Sequence, residues 1–253
     1  MANLTALTTA NSKRWNAAKL TRGPEFIPVA KRLAASAAKI RYQRIAQDTG
    51  VPWFVIAVIH EREASQRWDR QLGQGDPLNQ VSTHVPKGRG PFFNHPDDPT
   101  LQDAFYRGAL DALIDCAPHA ADWKDWSPGG TMTLLEQYNG LGYANRGLPS
   151  PYIWSGTDQY RAGKYVADGV FDPHEVDSQL GCAGLILAMM QIDPTITFGA
   201  KGFPSVPLPT PPEISLPPPG QPPASGLAPT FWPRRRSFQT KGAVMDSSKL
   251  GAI

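Results

Sequence analysis

The segment VPWFVIAVIHEREASQRW, residues 51–68, is apolar up to Ile59 and then turns charged at His60, Glu61, Arg62 and Glu63. Glu63 stands four residues after Ile59 and eight after Val55, so in a helix it shares their apolar side. A carboxyl carried there is partly desolvated, which disfavours ionisation and raises its pKa. That is the state a general acid needs near neutral pH, for instance to protonate a glycosidic oxygen. The same spacing also allows a helix-end salt bridge from Glu63 to Arg62 or Arg67. Glu61, two positions earlier, points roughly the opposite way, toward solvent or Arg62. Asp76, thirteen residues beyond Glu63 in QGDPL, could activate water or stabilise an oxocarbenium-like transition state. Before Pro77 it also suits a turn. Thr83 and His84, in STHVP, belong to the same loop and could line a cleft.

Other chemistries find no footing. The residue four after His60 is Ala64, so the zinc motif HExxH is absent, and Cys116 and Cys182 form no CxxC pair. They read as two structural thiols of a reduced chain rather than a disulfide framework. No Walker, dinucleotide-glycine or GxSxG pattern occurs, and no cofactor or metal is expected. A net charge of +3 and a pI near 8.9 suit an anionic polymer or envelope, but fall far short of a dedicated nucleic-acid binder.

The elements that must position these groups are mostly helical. Residues 1–24 are polar and read as an N-terminal arm. Val29, Leu33, Ala37 and Ile40 then recur at helical spacing, in an element ended by Gly50 and Pro52. Residues 53–65 form a short helix, apolar nearly all round, which implies a central buried position. Gly, Pro, Asp, Asn and His dominate residues 73–99, a long loop of the kind that usually carries function. Helical patterns return at residues 100–116, with Phe105, Leu110 and Leu113 along one side, at 131–140, stopped by Gly140, and at 177–191. Between them, GLGYANRGLPSPYIWSGTDQY is loop-like and aromatic. Strand patterns are scarce, so the fold class is mainly α with a loop-rich small lobe over residues 25–202. Residues 203–233 hold twelve prolines and read as an extended, semi-rigid linker. The tail at 234–253, opening with Arg234, Arg235 and Arg236, is too short to fold alone.

Order and spacing of several motifs carry a resemblance. Pro52 leads an apolar helix ending at Ile59, with Glu63 four residues on. LLEQYNGLGY places Tyr138 and Asn139 where an AYNAG motif has its Tyr and Asn. The run GDPL…THVPKGRGPF…EQYNG.GY…SPYIWSGT completes the set. In these features residues 25–200 resemble the lysozyme-like superfamily: goose-type lysozymes, soluble lytic transglycosylases and a subgroup of phage and prophage lysozymes. Two departures stand out. The GLMQ segment that follows the catalytic helix in transglycosylases is replaced by GDPLNQVSTHVPKGRGPF, and Ala64 stands where a Ser usually follows the acid, although Ser65 comes next.

The resemblance implies a glycosidase acting on the β-1,4 bond between N-acetylmuramic acid and N-acetylglucosamine, with Glu63 as acid. Tyr138 and Asn139 would hold the substrate, Tyr138 through its N-acetyl group or through the acid's carboxyl. Trp68, Tyr143, Tyr152 and Trp154 are candidate sugar-stacking platforms, and Thr83 a polar contact. For each aromatic, core packing is the alternative, and Trp123 and Trp126 read as fold residues. The partner implied is the peptidoglycan strand. A phage-particle or envelope partner is conceivable through residues 203–253. No signal-peptide pattern and no stretch of roughly 18 apolar residues is present. Cytoplasmic synthesis is expected, with action at the periplasm or cell wall after release or delivery. The non-enzymatic alternative is a catalytically inactive lysozyme-fold structural or wall-binding protein of a phage-like particle.

Overall fold

Helix α4, Trp53–Ala64, is the axis of the molecule: every residue from Trp53 to His60 is buried. The computed structural model describes residues 2–93, 101–167 and 169–199, and the mainly α character expected from the sequence holds across them. Around α4 pack α2 (Gly23–Leu33), α3 (Ser36–Thr49) and α9 (Cys182–Ile192). The contact of α2 with α9 is close because Gly184 has no side chain; a Cβ there would lie 2.3 Å from the ring of Phe26. Both cysteines are free and buried.

The N-terminal segment departs from expectation. Residues 4–17, read as an arm, form helix α1 (Leu4–Ala17), capped by the Asn3 side chain and packed against α6 (Pro128–Asn139). Its contact face is polar and small rather than apolar: Asn11 is fully buried and donates to Thr133 Oγ1, and Thr8 donates to the same oxygen. Gly129 makes room for it, since a Cβ there would meet Ser12 Oγ at 1.9 Å. Hydropathy patterning misses a helix whose interface is built this way.

A second departure follows Leu33. The single element expected up to Gly50 is two helices, broken at Ala34 and Ala35. The break resets the helical phase. The buried stripe runs Phe26, Ala30, Leu33 in α2 and Ala38, Tyr42, Ile45, Ala46, Thr49 in α3, leaving Ala37 exposed and Val29 and Ile40 only half-buried.

Helix α5 (Leu101–Leu110) continues into a π turn at Asp111–Asp115, burying Phe105 and Leu113. The aromatic stretch expected as loop holds two one-turn helices, α7 (Gly142–Asn145) and α8 (Pro151–Trp154), and is followed by a two-stranded antiparallel hairpin, β1 (Lys164–Ala167) and β2 (Val170–Asp172). Among the described residues no helix is long and apolar enough to cross a membrane. The proline-rich linker and basic tail lie outside the described residues, as does the end of the loop expected at 73–99.

Candidate active site

Helix α4 does not fray at its charged end. Ser65 and Gln66 both take left-handed backbone conformations, with φ of 52° and 57°. Two consecutive non-glycine residues there are costly and persist only where surroundings enforce them. The enforcement is visible. Arg32 donates to Gln66 Oε1 at 2.7 Å and, through its other nitrogen, to Glu61 Oε2 at 2.9 Å. His60, fully buried, approaches the Arg67 carbonyl with Nε2 at 3.0 Å and the Tyr42 hydroxyl with Nδ1 at 2.9 Å. A carbonyl only accepts, so Nε2 carries the hydrogen and Nδ1 accepts from Tyr42. Burial pushes the imidazole down to about 4, in keeping with this neutral form.

Glu63 sits half-buried just inside this clamp. Its Oε1 accepts from the Tyr152 hydroxyl at 3.1 Å, across 89 residues of sequence. Tyr152 is 1% exposed, and burial followed by the Glu63 charge raises its hydroxyl well above the ordinary phenol range, so it remains a donor. Arg62 donates to Asp177 at 2.9 Å and Arg67 to Asp69 at 2.7 Å. Glu61 has turned to Arg32 rather than to Arg62, and burial pushes its carboxyl up although Arg32 opposes the shift.

The loop after α4 closes on it. Gly75, at φ 73°, lies so near that a Cβ would stand 2.4 Å from the Glu63 carbonyl oxygen. Tyr138 donates to the Leu72 carbonyl at 3.2 Å, tying the end of α6 to this loop. Asp76 organises the loop from within. Its carboxylate, largely buried, accepts from Thr83 N at 2.8 Å, His84 N at 3.1 Å and His84 Nδ1 at 2.8 Å. Burial alone would push the Asp76 carboxyl up, but the donors from His84 and Thr83 outweigh it and hold it below the usual range. Of the two roles read from sequence, the turn-forming one accounts for these bonds. Thr83 and His84 serve the same loop and keep exposed side chains.

For three of the four candidate aromatics the core-packing alternative accounts for the ring. Trp154, Tyr152 and Tyr143 are 0, 1 and 6% exposed, which encloses their rings and leaves no face for a sugar. Tyr143 instead accepts from the Tyr165 backbone N–H. Trp68 is packed by Tyr42, His60, Phe105 and the Arg41 guanidinium. The alternating composition of this stretch hides which rings end in the core, because enclosure depends on elements far away in sequence. Asn139 is half-buried at the end of α6, beside Tyr138. Half-exposed rings do occur on the hairpin, where Tyr165 and Phe171 meet edge to face and Arg146 lies over both. No sequence signal singles them out.

Among the described residues no group of three or more His, Cys, Asp or Glu side chains could hold a metal ion. Comparison of the chain with protein-family models, with curated proteins and with solved structures returns no match.

Proposed function

We propose that this protein is a peptidoglycan glycosidase of lysozyme-like design, cleaving the β-1,4 bond between N-acetylmuramic acid and N-acetylglucosamine with Glu63 as general acid. The observation that carries the reading is the setting of Glu63: a half-buried carboxyl at the end of a helix buried from Trp53 to His60, one oxygen pinned by a phenol, behind a strained turn. Such cost is concentrated where a side chain must be held for chemistry. The motif order Pro52–Glu63–Tyr138–Asn139 adds to it. In the reaction Glu63 gives its proton to the glycosidic oxygen as the C–O bond breaks, and positive charge develops on the departing ring. Tyr152 fixes the rotamer from which that transfer occurs. The oxygen of water or of the sugar's own 6-hydroxyl then bonds to the carbon of the broken C–O bond and its proton returns to the Glu63 carboxylate.

Asp76 takes no proton in this scheme, because its oxygens hold the loop. Asp76→Asn is therefore expected to change the rate of glycan release less than about threefold while costing about 1–2 kcal/mol of stability through weakened hydrogen bonds. Clearing of purified sacculi and thermal melts measure the two quantities. A rate loss of tenfold or more at unchanged melting temperature would give Asp76 the role of base or electrostatic stabiliser.

The competing reading, a catalytically silent lysozyme-fold protein that binds wall or virion components, draws on one observation: three of the four rings expected to hold the glycan are enclosed. Mass spectrometry of muropeptides released from purified sacculi separates the cases. Reducing ends identify a muramidase and 1,6-anhydro ends a lytic transglycosylase. Absence of release leaves the silent reading.

A further inference from the structure

Arg62 follows Glu61 into the interior rather than into solvent, with only 6% of its side chain exposed. Its Nη2 donates to Asp177 Oδ2 at 2.9 Å, its Nη1 to the Leu180 carbonyl at 3.2 Å, and its guanidinium carbon lies 4.8 Å from the centre of the Tyr152 ring. That is the ring whose hydroxyl reaches Glu63. Asp177, 2% exposed, also accepts from Lys164 Nζ at 2.9 Å. Its carbonyl accepts from Ser155 Oγ at 2.9 Å, the residue directly after α8, which carries Tyr152. One residue thus grips both the arginine beside the acid and the end of the helix that bears the acid's partner.

We propose, resting on the glycosidase reading, that Asp177 is a positioning residue for Glu63. It holds Arg62 against the Tyr152 ring, keeping the hydroxyl on Oε1, and it cancels a buried cation that would otherwise pull the proton off the acid. The groups around Glu63 make the charge argument tractable. Tyr138 from α6, Tyr152 from α8 and Cys182 from α9 all interact with Glu63, and burial raises each so far (Cys182 to about 12) that all three are neutral at working pH. Glu61, on α4 itself, is paired to Arg32. Arg62 and Asp177 form a buried charged pair against the Tyr152 ring, with Lys164 of β1 also paired to Asp177.

The test is the titration of the Glu63 carboxyl, followed by NMR in protein labelled with 13C at the glutamate carboxyls, with the signal assigned through Glu63→Gln. Asp177→Asn removes the carboxylate paired with Arg62 and should lower the Glu63 midpoint by about one unit. Arg62→Gln removes the nearer cation, leaving Asp177 paired with Lys164, and should raise it by about half a unit. The double variant removes both charges and should return within about 0.3 units of wild type. The alkaline limb of the pH–rate profile on sacculi should move in the same directions, which loosened packing alone would not produce. Should either single variant fail to fold, the other and the double variant still decide the matter. Midpoints that stay within about 0.3 units in every folded variant, or that move the same way in both single variants, overturn the proposal. Opposite shifts without muropeptide release from the wild-type chain would remove the glycosidase reading and leave the electrostatic coupling. Release with unmoved midpoints would do the reverse.

Discussion

Replacing Glu63 with Gln should lower glycan cleavage by roughly two to four orders of magnitude while moving the melting temperature by no more than a few degrees. Glutamine keeps the shape of the side chain and an oxygen able to accept from Tyr152, so the contact at 3.1 Å survives. What it lacks is a proton to give to the leaving oxygen. The control is Glu61→Gln. Glu61 is engaged with Arg32, which also holds Gln66, so its loss should show first in stability and only mildly in rate. Muropeptide release and thermal melts on the two variants settle the assignment. More than about a tenth of wild-type activity in the Glu63 variant would remove it from the role, and a reversed pair of results would move the role to Glu61.

The second large effect concerns pH and stability at the α1–α6 contact. Glu136 is 1% exposed, faces Asn11 and Arg14 of α1, and its Oε1 has no hydrogen-bond partner among the described residues. Burial pushes its carboxyl up to about 7, from an ordinary value of 4.5, so the fold favours the protonated form. Its contribution is full below about pH 4.5 and is lost as pH rises through about 7, a swing on the order of 3 kcal/mol. His60 works in the opposite sense. Held down at about 4 from 6.5, it favours the neutral ring, and its contribution is lost as pH falls from about 6.5 through 4. The two slopes oppose each other between about pH 4.5 and 6.5, so the wild-type curve alone is uninformative. The difference between Glu136→Gln and wild type isolates one of them. The variant should gain on wild type as pH rises from 4.5 to 8, by on the order of 10 °C in melting temperature. A difference that is flat across that range would mean Glu136 does not change its charge with pH in the folded state.

Helix α4 is legible in the sequence because its apolar residues leave no polar face and its ends are marked, by Pro52 at one end and four polar or charged residues at the other. Helix α9 is the same case, and α6 stops at Gly140, which takes φ 98°. The placement of Glu63 on the core side follows from helical periodicity, a property of the chain's own geometry. Everything that gives the carboxyl its environment comes from elsewhere. Tyr152 is 89 residues away, Asp177 lies 115 residues from Arg62, and Arg32 reaches Glu61 across 29. Local spacing cannot choose among several arginines and carboxylates for such pairs, since the choice depends on which helices meet and at what height. The same holds for Asp76, whose turn and catalytic roles look identical in sequence until the donors of Thr83 and His84 are seen around it. Helix α1 escapes notice for a different reason. Its partner face is matched by hydrogen bonds and by the missing side chain of Gly129 rather than by hydrophobicity, so patterning contains no stripe to read. Periodic burial, then, is written into the chain because it repeats along it, whereas pairing and enclosure arise only when distant segments pack.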